Sequence, residues 1–198
     1  GYPSKQERIV IAKNAENTAT QLYEHFKNGL SALENKQYDV AIELFTKANS
    51  QVPFRENWNN IGVAYARKAL ALKVSSKAEI ENPARFLYPL EVENKSRLLN
   101  ERTRSLDDTT EEIIELLNHA QSAFEKALQL DPSFYKSRIN LACVYDLQGK
   151  HNSAIAEITE KLPEETRASK EAKIILAIAY YNADMEEKAE RIWEELKM

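Results

Sequence analysis

The sequence lacks several features that mark particular protein classes. It has one cysteine, Cys143, so an internal disulfide is excluded. No apolar run approaches the ~20 residues that cross a bilayer, and the N-terminus lacks the basic and then apolar pattern of a signal peptide. We therefore expect a soluble chain without direct insertion into a membrane. The cytoplasm is slightly favoured over the periplasm or the exterior, although nothing in the sequence fixes the compartment.

Excess basic charge is also absent. Lys and Arg number 27 against 31 Asp and Glu, and the net charge is −4. Proteins that bind nucleic acid in general need clustered cations to displace counterions from phosphates. Because the sequence has no basic stripe, we expect no nucleic-acid partner.

Candidate groups for catalysis or metal binding are few. The three histidines, His25, His119 and His151, are far apart in sequence and lack the close spacing of a zinc site. Neighbouring acids such as Glu164 and Glu165 point away from each other on a helix, so they do not form a general acid–base pair. The sequence therefore predicts no catalytic residue, no metal and no cofactor, and hence a protein that is not an enzyme.

What the sequence does contain is helical periodicity almost throughout, which predicts an all-α fold. Within it, small and bulky residues recur in a fixed order, first as Gly29, Ala41, Phe45, Ala48 and Pro53. The order returns as Ala120, Phe124, Ala127 and Pro132, as Ala142, Tyr145 and Ala154, and as Ala177, Tyr180, Ala189 and Trp193. The steps from Gly29 to Gly62, Ala120 to Ala154 and Ala154 to Ala189 are 33, 34 and 35 residues. Such a period indicates a repeated structural unit.

The pattern resembles the tetratricopeptide repeat (TPR) family, whose repeat reads W-x2-L-G-x2-Y, then A-x3-F, then P. The matching residues are Trp58, Ile61, Gly62 and Tyr65 in the first part, and Ala120, Phe124 and Pro132 in the second. The resemblance implies a right-handed superhelical array of antiparallel helix pairs A and B, an α-solenoid. We expect a helical extension over residues 1–21 and repeats at 22–54, 55–133, 134–168 and 169–198.

Three glycines have distinct expected roles. Gly29 and Gly62 occupy the small-residue position on helix A, where we expect helix B of the same repeat to approach closely. Gly149 falls in the turn between the two helices of the third repeat, where a positive φ is tolerated. No glycine is left for a phosphate-binding loop.

An insertion at about residues 71–110 separates the two helices of the second repeat. We expect helix A to continue over 66–81, a non-helical stretch over 82–94, and a short helix over 96–104. Thr109 and Glu112 have capping-box spacing, which predicts that helix B begins near residue 110. Disordered linkers are poorer in aromatics, so we expect Phe86, Tyr88 and Leu90 to contact the repeats. A plain surface loop is the alternative.

The N-terminal extension contains Ser4 and Glu7, again at capping-box spacing, which predicts a helix from there onward. This helix either precedes the first repeat, merges with its helix A, or is the remnant of another repeat.

The resemblance implies a protein-interaction module whose concave face is formed by the A helices. Carried onto this chain, it gives these residues for a partly apolar groove: Tyr23, Phe26, Leu30, Asn59, Asn60, Val63, Arg67, Lys136, Ile139, Asn140, Ile174, Ile178 and Tyr181. The leading prediction is a non-catalytic scaffold that binds a peptide or partner helix there. The alternative is a structural or assembly element whose groove is filled by its own insertion or by a second copy, as a homodimer.

Some TPR proteins bind the C-terminal carboxylate of chaperones through a clamp of Lys, Asn and Arg. Asn60 and Lys136 match two positions of that clamp. Phe26 and Leu30 replace its first Lys and Asn, however, and Asn140 replaces its Arg. We therefore reject the chaperone clamp.

Overall fold

The structure, a computed structural model, describes residues 1–73, 82–93, 95–98 and 110–198. Its α-helices are α1 (Lys5–Glu34), α2 (Tyr38–Gln51), α3 (Arg55–Leu72), α4 (Glu111–Leu130), α5 (Tyr135–Leu147), α6 (His151–Thr159), α7 (Glu164–Arg167), α8 (Lys170–Asn182) and α9 (Glu186–Glu195). Between α3 and α4 lie a 3-10 turn, Pro83–Phe86, and two short strands, β1 (Pro89–Val92) and β2 (Lys95–Leu98).

The helices pack in pairs, and the pairs stack in chain order. The pairs are α1 with α2, α3 with α4, α5 with α6, and α8 with α9. Three of them are joined by turns of three residues, which makes their helices antiparallel neighbours. The second helix of each pair packs on the first helix of the next, through α2 with α3, α4 with α5, and α6 with α8. The predicted all-α solenoid is confirmed.

Gly29 and Gly62 lie at close helix contacts, as predicted. An added Cβ at Gly29 would lie 2.5 Å from the ring of Phe45 in α2, and one at Gly62 would lie 2.5 Å from the ring of Phe124 in α4. Both rings are fully buried, so neither can move aside cheaply. α3 and α4 therefore meet as α1 and α2 do, although the insertion separates them. Gly149 has φ 78°, the left-handed conformation expected in its turn.

The N-terminal extension and the first helix of the solenoid are one helix. α1 begins with the capping box of Ser4 and Glu7 and runs without a break to Glu34. Gln21 marks the level at which α2 ends, because its side chain accepts a hydrogen bond from Gln51. Residues 1–21 are all exposed. At 1.5 Å per residue, α1 reaches about 24 Å beyond α2.

Two predictions for the insertion are wrong. α3 ends at Leu72 and not near residue 81, since Lys73 is already extended (φ −73°, ψ 123°); residues 74–81 lie outside the described residues. The short helix predicted over 96–104 is a strand in its described part, because β2 pairs antiparallel with β1, Pro89 opposite Leu98 and Val92 opposite Lys95. Pairing with a neighbouring strand overrides a local preference for helix. The stretch 99–104 lies outside the described residues.

The start of α4 also differs from the prediction in its cap. The helix begins at Glu111, close to the expected residue 110. Its capping residue is Thr110, whose hydroxyl accepts a hydrogen bond from the amide of Ile113 at 3.3 Å. The predicted box of Thr109 with Glu112 is therefore wrong, because the cap falls one residue later.

Buried apolar side chains form a core that includes the insertion. Tyr88, Leu90 and Val92 belong to the large cluster that runs through the helix pairs. A smaller cluster contains Phe86 together with Trp193 of α9. The insertion is therefore part of the folded core over its described residues 82–93.

Candidate functional site

The insertion lies on the first helices of the second, third and fourth pairs. β1 contacts α3, α5 and α8, and the 3-10 turn contacts α8. Tyr88 bonds to Asp146 near the end of α5, whereas Val92 bonds to Lys136 near its start, so β1 runs antiparallel to α5. We call the surface beneath β1 the A-helix face; its polar side chains are Asn59, Asn60, Arg67, Lys136, Asn140, Asp146 and Asn182.

Asn140 binds the main chain of β1 at Glu91. Its Oδ1 accepts a hydrogen bond from the Glu91 amide at 2.9 Å, and its Nδ2 donates to the Glu91 carbonyl at 2.8 Å. In an antiparallel ladder, alternate residues turn their amide and carbonyl away from the partner strand. Asn140 thus gives Glu91 the two bonds that a further strand would have given.

A buried network orients the Asn140 side chain. Asn59 donates to the Glu91 carbonyl at 2.9 Å, and its Oδ1 accepts from Asn140 at 2.9 Å and from Ser137 at 2.8 Å. Asn59, Ser137 and Asn140 are each 0% exposed. Because each amide is held by its neighbour, the network fixes the position at which the main chain binds.

Further bonds extend this recognition to residues on either side of Glu91. Arg67 Nη2 donates to the Leu90 carbonyl at 3.4 Å, Lys136 Nζ donates to the Val92 carbonyl at 3.4 Å, and Asn60 Oδ1 accepts from the Glu93 amide at 3.1 Å. The Lys136 ammonium also lies 3.5 Å from the Glu93 carboxylate. The face therefore bonds to the main chain of four consecutive residues.

Alternate side chains of the insertion are buried. Tyr88, Leu90 and Val92 are 1%, 0% and 5% exposed, and residues at this spacing share one side of an extended chain. They pack in the same cluster as Val63 and Ile139 of the face. The insertion is thus recognised both by its main chain and by its apolar side chains.

Asp146 accepts hydrogen bonds from three donors at the Tyr88 end of the face. The Tyr88 hydroxyl donates to Oδ2 at 2.7 Å, Asn182 donates to the same oxygen at 2.8 Å, and His151 Nδ1 lies 2.6 Å from Oδ1. The Asp146 side chain is fully buried, where a polar group needs hydrogen-bond partners, and these three donors supply them. The bond to Asp146 raises the pKa of His151, and the charge of Asp184 adds to this.

Phe86 and Arg85 cover the last helix. The Phe86 ring lies 5.1 Å from that of Tyr181 and 5.4 Å from that of Trp193. The Arg85 guanidinium lies 4.8 Å from the centre of the Trp193 ring and 2.7 Å from the carboxylate of Glu190. The insertion therefore helps to bury the Trp193 side chain of α9.

Glu91 fits the face less well than its neighbours do. Burial raises the pKa of its carboxyl, and the nearby charge of Glu171 raises it further, while Lys136 acts in the opposite direction. A neutral side chain at this position would avoid that cost.

The sequence-predicted residues lie in two environments. Those of the later helices bond to the insertion, contact it or share its core: Asn59, Asn60, Val63, Arg67, Lys136, Ile139, Asn140, Ile174, Ile178 and Tyr181. In α1, by contrast, Tyr23 is 65% exposed and Leu30 is partly buried. The Phe26 ring packs 6.1 Å and 5.7 Å from those of Phe45 and Phe54.

Sequence reasoning missed Ser137, Asn182 and the role of Arg85. A signal for β1 itself was available, because Tyr88, Leu90 and Val92 alternate with other residues at the period of a strand. The family resemblance gave the inward-facing helix residues, but no spacing in the sequence indicated which of them each insertion residue would contact.

Other chemistry is sparse in the part of the chain that the structure describes. There, no group of three or more His, Cys, Asp or Glu side chains is arranged to hold a metal ion. No described helix combines the length and the apolar character that a membrane span requires. Burial raises the pKa of the Cys143 thiol well above its ordinary value, so this side chain acts as a packing residue.

Residues 123–156 match the family model of the tetratricopeptide repeat. This stretch is therefore identified as a tetratricopeptide repeat (TPR). The matched stretch runs from within α4, through α5, into α6. TPR domains generally mediate protein–protein interactions, and the fold is typically non-catalytic.

One solved structure resembles this chain at low sequence identity. The crystal structure of a thermophilic TPR protein from Thermus thermophilus is similar over 88% of this chain and 89% of that one, with 16% sequence identity and a TM-score of 0.41. The comparison with curated proteins gives no match.

Proposed function

We propose that this TPR protein is a protein-interaction scaffold of four repeats, and that its own insertion occupies the A-helix face of the second to fourth repeats. The observation that carries the proposal is the pair of hydrogen bonds between Asn140 and the main chain of Glu91. Peptide-binding surfaces use the same combination, in which main-chain bonds give affinity and sites for alternate side chains give specificity.

The insertion then acts as an internal ligand that connects repeats. At one end, Arg85 pairs with Glu190 of α9, and at the other the amide of Glu93 bonds to Asn60 of α3. In a simple repeat array each unit contacts only its neighbours. A segment that contacts the second, third and fourth repeats together makes that part of the scaffold stiffer.

The leading prediction from the sequence was a groove open to a peptide. On α3, α5 and α8 this groove is covered by β1, so we favour the alternative, a groove filled by the insertion. We propose no catalytic role, no cofactor and no metal. A homodimer in which a second copy supplies the insertion is the competing arrangement.

Hydrogen exchange tests the proposal. Asn140→Ala removes both bonds to Glu91 and leaves its amide unpaired, which costs about 1–3 kcal/mol. The Glu91 amide should then exchange roughly 5 to 150 times faster than in the unaltered protein. Asn17→Ala, on the exposed part of α1, is the matched control and should leave this rate unchanged.

Two results would contradict the proposal. Equal exchange at Glu91 in the Asn140→Ala variant and the unaltered protein would show that the face does not hold the insertion. The second result would be a dimer of the unaltered protein in light scattering and a monomer of the Asn140→Ala variant. It would show that each A-helix face binds the insertion of a second copy.

A further inference from the structure

We infer that docking of the insertion on the A-helix face is controlled by pH. The insertion is held most firmly in mild acid and leaves the face more often as the pH rises. This inference rests on the proposed function, because it concerns the same contact. It adds a form of regulation, since the stiffness that the insertion gives to the second to fourth repeats then falls with rising pH.

The first pH-sensitive group is the Glu91 carboxyl of the insertion. Asn140 fixes where this residue lies, because it holds the Glu91 main chain through two hydrogen bonds. Glu171 of α8 presents a like charge to the carboxyl, and Lys136 of α5 an opposite one. Lys136 is shared, however, since its ammonium also lies 3.5 Å from the Glu93 carboxylate. The fixed main chain therefore holds the carboxyl on a face that favours its neutral form.

Release of the insertion returns the Glu91 carboxyl to water, which gives the sign of the effect. From α3, the charged group beside β1 is Arg67, whose guanidinium bonds to the Leu90 carbonyl. Burial, and then the charge of Glu171, raise the pKa of the docked Glu91 carboxyl above its ordinary value of 4.5. The docked insertion therefore binds a proton more tightly than the released one. This contribution to docking is complete below pH 4.5 and is lost as the pH rises through the raised pKa.

The second pH-sensitive group is His151 of α6, at the Tyr88 end of the face. Its Nδ1 lies 2.6 Å from Asp146 Oδ1, and the Tyr88 hydroxyl donates to Asp146 Oδ2 at 2.7 Å. Docking of Tyr88 therefore covers a carboxylate that His151 also contacts. The Asp146 side chain is 0% exposed and that of His151 is 29% exposed, so a protonated His151 stays in contact with water while it neutralises the buried charge. Because a buried charge is costly unless it is paired, covering Asp146 costs less when His151 is protonated.

The charges around His151 support the same sign. The hydrogen bond to Asp146 raises the pKa of His151 above its ordinary value of 6.5, and the charge of Asp184, which follows α8, adds to this. Asn182 is a neutral donor to Asp146, and the Lys150 ammonium lies over an aromatic ring of α5. The contribution of His151 is complete below pH 6.5 and is lost as the pH rises through the raised pKa. Both groups therefore weaken docking as the pH rises.

Hydrogen exchange of the full chain tests the inference, with the Glu93 amide, which bonds to Asn60 of the face, as the reporter. Its protection is the exchange rate of an unstructured chain divided by the observed rate at the same pH. Between about pH 5 and pH 8.5 this protection should fall at least roughly fivefold in the unaltered protein, since couplings between two sites typically amount to about 5–150-fold. The double variant Glu91→Gln, His151→Gln lacks both groups and should lose most of this fall. Glu16→Gln, on the exposed part of α1, is the matched control and should keep it.

A Glu93 protection that does not change with pH in the unaltered protein would overturn the inference, as would an equal fall in the double variant. An equal fall at the amide of Phe45, in the buried part of α2, would also overturn it, because the whole fold and not the insertion would then respond to pH. Failure of the proposed function is separate, because it appears at a single pH as a Glu91 amide that does not respond to Asn140→Ala.

Discussion

Two segments add to the helix pairs, and they place their apolar residues in opposite environments. In the extension of α1 the apolar side chains are solvent-exposed, at 57%, 53% and 58% for Ile9, Val10 and Ile11. Four apolar side chains of the insertion, those of Phe86, Tyr88, Leu90 and Val92, are by contrast at most 5% exposed. Hydrophobic content alone therefore does not decide which added segment packs on the solenoid.

Spacing and backbone conformation explain the difference. Ile9, Val10 and Ile11 are consecutive residues of a helix, so their side chains point in three directions and cannot all face one surface. Tyr88, Leu90 and Val92 alternate along an extended chain and face the same side. An extended segment also leaves amides and carbonyls free for side chains such as Asn140, whereas a helix uses them internally.

The largest expected effect is the difference in stability between two alanine variants, one in the insertion and one in the extension of α1. Equal losses of stability would contradict the difference in burial between the two segments. Phe86→Ala removes a buried ring between Tyr181 and Trp193, and should lower the free energy of unfolding by about 3–5 kcal/mol. Ile11→Ala, on the exposed helix, should change it by less than about 0.5 kcal/mol. Urea unfolding followed by circular dichroism measures both. Similar losses would mean that α1 is covered in solution.

A second pair of variants asks whether the insertion disturbs the helix pair that it interrupts. Gly29→Ala and Gly62→Ala each place a Cβ against a buried phenylalanine ring, and each should cost about 1–3 kcal/mol through overpacking. Nearly equal losses in thermal unfolding are expected, because α1/α2 and α3/α4 meet in the same way. A much smaller loss for Gly62→Ala would show that α4 can shift away from α3 to accommodate the added Cβ, whereas α2 cannot shift from α1.

The smallest expected effect is a pH dependence of stability that arises from His151 of α6 and its bond to Asp146. Folding raises the pKa of His151 above its ordinary value of 6.5, so its protonated form stabilises the folded state. This contribution is complete below pH 6.5 and is lost as the pH rises through the raised pKa. The unaltered protein should therefore exceed His151→Gln in melting temperature at low pH by more than at high pH.

Exposed residues of α1 provide the control for this pH effect. Exchange of amides in residues 5–21 should not differ between the unaltered protein and His151→Gln at any pH. If the difference in melting temperature instead widened with rising pH, the protonated form of His151 would destabilise the folded state, contrary to this prediction.

The repeat pattern made the solenoid predictable, because a small residue on one helix and a bulky residue on the next indicate that the two helices are in contact. Gly62 and Phe124 are an example, since their positions in the ladder predicted a packing that the intervening 61 positions do not alter. The polar residues Asn59, Asn60, Lys136 and Asn140 were also predicted to lie inward, by resemblance to the family.

The path of the insertion was not predictable in the same way. β2 forms through pairing with β1, and β1 depends on Asn140 and Asp146, which lie far along the chain. The helical preference of a short segment does not include contacts with residues far along the chain, so the sequence predicted a helix where β2 lies. The role of Arg85 depends on Trp193 and Glu190, which no spacing rule connects to it. Thr109 and Thr110 differ by one position, and capping-box spacing chose the wrong one.

The ion pair of Arg85 with Glu190 joins residues 105 positions apart, which has a consequence for synthesis on the ribosome. At about 5–20 residues per second, Glu190 is added roughly 5 to 20 s after Arg85. For most of that interval the nascent chain carries Phe86 without Tyr181 and Trp193, the side chains against which its ring packs. The insertion therefore completes its packing only after α9 has been synthesised, and until then the Phe86 side chain is open to contact with other chains.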